Sequence, residues 1–136
     1  MDPKQVIVIR KDLNMRKGKM IAQGAHASQK CYLDMMDLMV VEEDFNQFIR
    51  ATLYIKKDSM MDKWLFGIFK KIVVGAESLA QLTEVYQAAK KAGMPCALIE
   101  DKGLTEFGGE ITITACAIGP DDPNEIDKIT GHLKLL

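Results

Sequence analysis

The feature that most constrains the fold is the segment Val6–Ile9, in which four β-branched apolar residues follow one another without a polar residue between them. A strand with one face in water alternates apolar and polar residues, whereas an unbroken apolar run is typical of a strand buried on both faces. We therefore predict a strand over Gln5–Arg10 inside a sheet. Such a strand needs a layer of structure on each side of the sheet.

Three more apolar runs predict three more strands. They are the run ending at Gly75, "PCALIED" and "ITITACAIG". The nine residues 102–110 between the last two runs are too few for a crossover helix, so we expect those strands to be antiparallel if they pair.

Capping signals predict two helices. Ser78 and Gln81 have the spacing of a capping box, which opens a helix from Leu79 to Ala92. The second is a short final helix, with Asp122 as the N-cap and Pro123 at the first helical position. Glu125 completes its capping box, and Gly131 ends it.

The region after the first strand is less regular. Small and apolar residues at helical spacing predict a helix from about Lys19 to Val41, whereas residues 43–69 contain a helix-like segment, "EDFNQFIRATLYI", and an apolar one without a clear period. The order of elements is then β-α-α-β-α-β-β-α. It predicts an α/β fold with three layers, α/β/α, around a mixed four-stranded sheet, in a single domain covering 1–136.

Composition narrows the class of protein. Residues 1–20 lack the apolar core of a signal peptide and no window approaches about 18 apolar residues, so we expect a cytoplasmic protein without a membrane segment. Cys31, Cys96 and Cys116 are odd in number and lie among apolar neighbours, which favours reduced, packed thiols. A net charge of −1 argues against indiscriminate coating of nucleic acid.

Positive charge is nevertheless concentrated near the first predicted helix. The residues are Arg10, Lys11, Arg16, Lys17 and Lys19. Free backbone N–H groups and the helix dipole make such a helix start an anion site, with phosphate as the natural ligand, although a solvated charged loop is the simpler alternative. A nucleotide P-loop is excluded because Leu13 and Met20 occupy its required glycine and Ser/Thr positions.

One face of the same helix presents a polar stripe. Lys19, Gln23, His26 and Lys30 follow at spacings of four, three and four residues. Taken alone, His26 is more simply a hydrogen-bonded helix histidine than a catalyst. The other histidine, His132, lies beyond the last helix, so we expect no metal site and no cofactor.

The loop "EDKGLTEFGG" is the second candidate for chemistry. Asp101 ends a strand, Gly103 permits a sharp turn, and Thr105 and Glu106 follow at the sheet edge, where acidic and hydroxyl groups can position a water. The alternative is an Asx-type turn that satisfies only its own backbone. No Gly-x-Ser-x-Gly elbow or catalytic Cys–His signature is present.

Several motifs in order resemble the peptidyl-tRNA hydrolase family of archaeal and eukaryotic type, which also occurs in some bacteria and viruses. They are "VIRKDLNMRKGKMIAQGAHAS", "EDKGLTEF", "AIGPDDPNEID" and "ITGHLKLL", and the resemblance is weakest between about residues 38 and 70. It implies an α/β/α fold that is often dimeric. It also implies metal-free hydrolysis of the ester that joins a peptide to the 3′ end of tRNA.

The resemblance also assigns site residues. Gly18 and Lys19, Ala22 and Gln23, and His26 and Ala27 match the family's first helix, and Asp101, Gly103 and Thr105 match its Asp-x-Gly-x-Thr loop. It implies Lys19, Asp101, Thr105 and His26 as catalytic residues. Substrate binding then belongs to Arg16, Lys17, Gly18, Gln23, Gly103, Thr112 and Thr114.

The loop departs from the family pattern in two places. Leu104 stands where better-known members have Arg or His, and "FGGEIT" replaces Ala-Pro-Gly-Ser, with Thr112 and Thr114 as stand-ins for a later family threonine. "GLTEF" is typical of a bacterial or viral branch. The resemblance implies as substrate a peptidyl-tRNA, another N-blocked aminoacyl-tRNA or a damaged variant, and the sequence does not choose among them. The alternative functions are a non-catalytic tRNA- or protein-binding module and a small structural dimer.

Overall fold

A computed structural model of the protein describes residues 2–103 and 107–136. Its elements are β1 (Lys4–Arg10), α1 (Lys17–Leu33), β2 (Asp37–Glu43), β3 (Asn46–Thr52), α2 (Met60–Leu65), β4 (Lys71–Ala76), α3 (Leu79–Lys91), β5 (Cys96–Asp101), β6 (Thr112–Asp121) and α4 (Pro123–Thr130). The main sheet has the order β4-β1-β6-β5, with β4 parallel to β1 and β6 antiparallel to both of its neighbours. Helices pack on both faces, which confirms the predicted three layers. The pairing of β5 with β6 is antiparallel, as predicted.

The central strand β1 is buried on both faces, as its sequence predicts. Val6 and Val8 point into a core formed with α3 and α4, whereas Ile7 and Ile9 point into a second core under α1. All four side chains are 5% exposed or less. Because successive side chains of a strand point to opposite faces, one apolar run supplies both cores.

The predicted N-cap of α3 is present, but the reciprocal bond of the capping box is shifted by one residue, from Ser78 to Glu77. The Ser78 hydroxyl accepts a hydrogen bond from the Gln81 backbone N–H at 3.1 Å, and the Gln81 side chain accepts one from the Glu77 N–H at 2.7 Å. The bond to Ser78 pairs one of the otherwise unsatisfied N–H groups of the first helical turn, and the bond to Gln81 fixes the residue that precedes the N-cap. The helix ends at Lys91, one residue before the predicted end.

The final helix α4 has the predicted N-cap but not the predicted box. The Asp122 carboxylate accepts from the Asn124 N–H at 2.8 Å. Glu125 instead accepts a hydrogen bond from the Lys128 ammonium at 2.9 Å, one turn further along the helix. The lysine at i+3 offers a charged donor, which competes with the neutral N–H of the N-cap residue.

The prediction of a helix up to Val41 is wrong. Helix α1 starts two residues earlier than predicted, at Lys17, and ends at Leu33, after which β2 and β3 form an antiparallel hairpin. The helix-like reading of the next segment is also wrong because it contains β3. Val40 and Val41 pair with Ile49 and Phe48 across the hairpin, so β-branched and aromatic partners outweigh the weak helical spacing.

Helix α2 lies in the stretch that the sequence left without an element. Ser59 caps it by accepting from the Asp62 N–H. Trp64 is 0% exposed, and its indole N–H donates to the Lys70 carbonyl at 2.8 Å. This tryptophan therefore connects α2 to the entry of β4.

The three cysteines are free thiols, and Cys31 and Cys116 are buried, as predicted. Burial raises the pKa of Cys31 to about 12, which keeps this thiol protonated and unreactive. No helix in the described part of the chain is long and apolar enough to cross a membrane.

Candidate active site

The residues predicted at the first helix and at the end of the third predicted strand meet in one cleft. Its volume is about 690 Å³. It is lined by Lys19, Gln23, His26 and Lys30 of α1 and by residues 98–102 of β5 and the turn after it. The polar stripe of α1 therefore faces the cleft along its whole length.

Asp101 is the centre of the hydrogen-bonding network in this cleft. Its Oδ2 atom accepts from the Lys19 ammonium at 2.6 Å and from the Gln23 amide at 2.7 Å, and its Oδ1 atom accepts from the Gly103 N–H at 2.7 Å. Gln23 is 1% exposed, so its amide is held in the interior. Two donors from α1 and one from the turn after β5 thus hold the carboxylate in one orientation.

These donors also set the charge of Asp101. The hydrogen bond from Lys19 lowers the pKa of the carboxyl below its usual value, and the Gly103 N–H, the Gln23 amide and the charge of Lys19 lower it further against the opposing effect of burial. Asp101 is therefore a carboxylate near neutral pH. A carboxylate with a lowered pKa is a weak base, which suits it to orient a water or a cation.

The turn after β5 has features of both alternatives predicted for this loop, a catalytic site and an Asx-type turn. The bond from the Gly103 N–H to Asp101 is the Asx-type turn of the simpler alternative, while the same carboxylate also contacts Lys19. Gly103 has φ +73°, and a Cβ there would collide with the Glu110 carbonyl oxygen. The glycine is therefore required by the backbone.

Phe107 is a site residue that the sequence analysis missed. Its ring packs beside the α1 core, and the Lys19 ammonium lies 5.8 Å from the ring centroid. The available signal was an aromatic residue in a short loop that is rich in glycine and charged residues. The ring shields one side of the Lys19 ammonium and adds a weak cation–π attraction.

The start of α1 has the features of an anion site. Arg16 is the N-cap and its side chain makes no capping hydrogen bond, so the first N–H groups of the helix lack a side-chain cap. Arg16 and Lys17 are exposed, and a Cβ on Gly18 would meet open space. Arg10 and Lys11, in contrast, pair with acidic residues of the chain and do not belong to this surface.

The remaining predicted site residues differ in whether they reach the cleft and in their hydrogen bonds. His26 is exposed, lines the cleft, and makes no hydrogen bond with the described part of the chain, so the hydrogen bond of the simpler alternative is not seen. Thr112 pairs with Asp101 in the β5–β6 register, and its hydroxyl donates to the Glu110 carbonyl at 3.2 Å. Thr105 lies outside the described residues.

Thr114 lies at an irregularity in the same strand. The β5–β6 register passes from Ala115 to Ile113 where β5 advances by one residue, which leaves Thr114 as the extra residue of a β-bulge. Its side chain is fully buried, and within residues 2–103 and 107–136 its hydroxyl has no hydrogen-bond partner. No group of three or more metal-ligating side chains occurs in these same ranges.

A family model described as peptidyl-tRNA hydrolase PTH2 matches residues 3–136. The chain belongs to the peptidyl-tRNA hydrolase PTH2 family. Family membership confirms the resemblance found in the sequence motifs and supports a hydrolase. The finer assignment to a bacterial or viral branch stays a prediction.

Relatives in this family match over almost their full length. Peptidyl-tRNA hydrolases of Methanocaldococcus jannaschii and Sulfurisphaera tokodaii are 42% and 40% identical to the chain. The first match covers 98% of this chain and 99% of the relative, and the second covers 100% of both. A solved structure of a protein of unknown function from Agrobacterium tumefaciens covers 100% of this chain and 98% of its own, with a TM-score of 0.58 at 11% identity, which shows similarity of fold alone.

Proposed function

We propose that this member of the peptidyl-tRNA hydrolase PTH2 family cleaves the ester between a peptide, or an N-blocked aminoacyl group, and the 3′ end of tRNA. The observation that carries the proposal is the Asp101 carboxylate, which three donors hold at 2.6 to 2.7 Å inside an open cleft. The family name of relatives at 40% identity and above supplies the substrate class.

In the proposed reaction, Asp101 and Lys19 act on a water molecule and on the ester carbonyl. The carboxylate accepts a hydrogen bond from the water and directs its oxygen to the carbonyl carbon. As the new C–O bond forms, the Lys19 ammonium stabilises the negative charge on the carbonyl oxygen. The bond to the ribose 3′ oxygen then breaks, and one proton of the water passes to that oxygen, which gives a free tRNA 3′ hydroxyl. The other product is a carboxylic acid, which releases its remaining proton to the solvent and becomes a carboxylate.

Gln23 and Gly103 are positioning residues in this proposal. Both donate to Asp101. They therefore hold the carboxylate in place while the Lys19 ammonium interacts with the negative charge that develops on the carbonyl oxygen. Thr105 and Thr112 are proposed to contact the substrate beside the carboxylate, and His26 to act further along the cleft. For Thr105 the support is the family motif alone.

The start of α1 is proposed to hold a phosphate of the tRNA acceptor end. Arg16 and Lys17 are exposed beside uncapped N–H groups, and Gly18 leaves room for close approach. Contacts of this kind position a nucleic acid without reading its bases. Thr114 is proposed to support the substrate-binding loop from inside the sheet.

The protein is proposed to be cytoplasmic. Its free thiols favour this location because disulfides are rare in the reducing cytosol.

The test is release of free tRNA from peptidyl-tRNA by the purified chain. We expect turnover by the wild type, and a loss of about 100-fold or more in kcat/KM for Lys19→Ala and for Asp101→Asn. Lys128→Ala is the matched control because this lysine is exposed on α4, in the opposite layer. No release by the wild type, or full release by both site variants, overturns the proposal.

A parallel measurement of tRNA binding separates the non-catalytic alternative. A binding module retains salt-sensitive tRNA affinity without releasing tRNA, whereas a structural dimer shows neither. We expect Asp101→Asn to bind tRNA while turnover is lost, because the carboxylate is not part of the phosphate-binding surface.

A further inference from the structure

Strand β5 forms an open edge of the main sheet. It is the last strand in the order β4-β1-β6-β5, and in the part of the chain that the structure describes no strand pairs with its outer side. An edge strand presents unpaired N–H and C=O groups, to which an extended peptide can add as a further strand. Natural proteins usually shorten or cover such an edge. An uncovered edge beside a candidate active site therefore needs an explanation.

The cleft of the candidate active site lies along this open edge. The five consecutive residues 98–102 all border it. Because the side chains of a strand alternate between its two faces, a cleft that touches successive residues runs along the edge of the strand and not over one face. The other wall of the cleft is the polar stripe of α1, which includes Gln23, His26 and Lys30.

The hydrogen bonds to β6 indicate which backbone groups of β5 face the cleft. The Gly119 N–H donates to the Pro95 carbonyl at 2.7 Å, and these two residues continue the register of the β5–β6 pair. In an antiparallel pair, hydrogen-bonded and non-bonded positions alternate. Ala97 therefore bonds to β6, whereas the N–H and C=O groups of Leu98 and Glu100 point to the open edge.

The cleft extends well beyond the groups that act on the ester. Lys19 and Asp101 meet at one end of it, and from Lys19 its lining continues along α1 for about 16 Å. Near the other end of α1, the Cys31 thiol donates to the carbonyl of Ala117, which pairs with Ala97 close to the start of β5. Helix α1 and strand β5 therefore run in opposite directions, and the proposed catalytic pair lies at the C-terminal end of β5.

The part of the cleft away from Asp101 is poorly suited to the phosphates of tRNA. Lys30 is already paired with the Asp34 carboxylate at 2.9 Å, and Glu100, which also borders the cleft, is exposed. A carboxylate repels a phosphate backbone, and a lysine that has a carboxylate partner attracts it weakly. Since Arg16 and Lys17 are exposed at the start of α1, the tRNA belongs at that end, which leaves the rest of the cleft for the peptide.

We propose that the peptide of peptidyl-tRNA binds in this cleft as an additional strand, hydrogen-bonded to the backbone of Leu98 and Glu100. This inference rests on the proposed function, because it takes the ester to lie at Lys19 and Asp101. With its esterified C-terminal end there, the peptide runs back along β5 and is parallel to it. Residues 98–101 span about 13 Å as a strand, so they pair with about four residues of the peptide.

This mode of binding does not depend on the sequence of the peptide. Main-chain groups are the same in almost every residue, so pairing with them selects a peptide backbone without reading side chains. A single N-blocked residue reaches only the end of β5, whereas a longer peptide forms the whole ladder. The property of the substrate that this edge distinguishes is therefore the length of the peptide.

The first experiment measures kcat/KM for release of tRNA from N-acetylated oligoalanyl-tRNAs of increasing length. We expect kcat/KM to rise about 10-fold from one residue to about four residues, and then to stay constant, because each added hydrogen bond contributes modestly. Turnover that does not change with length overturns this inference and leaves the proposed function intact. No release from any of these substrates overturns the proposed function, and this inference with it.

A second experiment tests for strand pairing through the substrate. The tetra-alanyl substrate is methylated on one backbone nitrogen at a time, at its second, third or fourth residue counted from the ester. A strand directs its N–H groups alternately to its two sides, so only every second methyl group blocks a bond to β5. We expect kcat/KM to fall about 5-fold at alternate positions and to change less than about 2-fold between them. Equal losses at all three positions, or no loss at any, overturn the inference.

A variant of β5 provides the complementary test. Leu98→Pro removes the N–H that faces the open edge and keeps the hydrogen bonds to β6. Leu98→Ala is the matched control because it loses the same packing against the core but keeps the N–H. The quantity measured is the ratio of kcat/KM for the four-residue substrate to that for the one-residue substrate, which cancels any loss common to both.

We expect this ratio to fall at least about 3-fold for Leu98→Pro and to equal the wild-type ratio for Leu98→Ala. Circular dichroism and urea unfolding check that both variants are folded. A wild-type ratio in folded Leu98→Pro, or an equal fall in both variants, overturns the pairing with β5. The methylated substrates test the same hydrogen bonds on the unaltered chain.

Discussion

The two sides of α1 carry surfaces of opposite chemistry. On one side, Lys19 and Gln23 donate to the Asp101 carboxylate in a cleft with charged and amide groups along its wall. On the other side, Ile21 and Gly24 line an apolar groove with two lysines. A helix can separate the two because side chains three or four residues apart share a face.

The two sides differ in how many of their groups already have hydrogen-bonding or packing partners within the chain. Both oxygens of Asp101 already have donors, so the cleft is organised before a substrate enters it. The groove and the exposed apolar side chains of the β2–β3 hairpin have no such internal partners in the described residues. A preorganised polar site suits catalysis, and an uncovered apolar surface suits association.

The largest expected effect tests whether Lys19 and Asp101 work as one unit. Each single change, Lys19→Ala or Asp101→Asn, removes the same ion pair, so we expect the double variant to lose no more of kcat/KM than the worse single variant. The measurement is a double-mutant cycle on peptidyl-tRNA. Losses that multiply, to about 10⁴-fold or more, indicate that the two residues act independently.

Two glutamines of α1, one on each side of the helix, test the comparison between the two sides through the free energy of unfolding. Gln23→Ala removes a buried donor from Asp101, and we expect the free energy of unfolding to fall by about 1 to 3 kcal/mol. Gln29→Ala is the matched control because Gln29 is exposed on the groove side, and we expect a change within about 0.5 kcal/mol. Urea unfolding measures both. Equal losses contradict the assignment of Gln23 as the residue that supports the carboxylate.

The smallest expected effect is a dependence of stability on pH. The lowered pKa of Asp101 means that its stabilising interactions are fully present above the unfolded value of 3.8 and are lost as the pH falls through the folded value. We expect the difference in unfolding free energy between the wild type and Asp101→Asn to stay constant from about pH 7 to 5 and to shrink below about pH 4. A difference that already shrinks between about pH 6 and 5 rules out a lowered pKa.

The polar side of α1 could be predicted from the sequence because its signal is local. The spacing of Lys19, Gln23 and His26 places them on one helix face whatever packs nearby. Asp101 followed by Gly103 likewise indicates a turn at a strand end. That the two segments meet follows from the antiparallel pairing of β5 and β6, which sets β5 beside β6 under α1.

The hairpin of β2 and β3 could not be predicted because its pairing is not local to either strand. Leu33 and Met36 continue the helical spacing of α1, while Val40 and Val41 acquire strand partners only after the chain turns back at Asp44 and Phe45. The spacing of apolar residues within one segment does not show whether helical packing or cross-strand pairing is the more stable. The contribution of Phe107 was missed for a similar reason, since its neighbour Lys19 is far away in sequence.

The sequence by itself therefore determined the central strand, the capped helices, the polar stripe and the family, because each depends on residue types at short, fixed spacings. Only the tertiary structure decided which atoms share a cleft, where α1 ends, and that an apolar groove and an uncovered hairpin occur in one chain. The physical reason is that the hydrogen bonds to Asp101 join residues far apart in sequence, and that the cross-strand pairs of the hairpin join two segments whose separate patterns do not show the pairing. Their energies exist only once the sheet has brought those segments together.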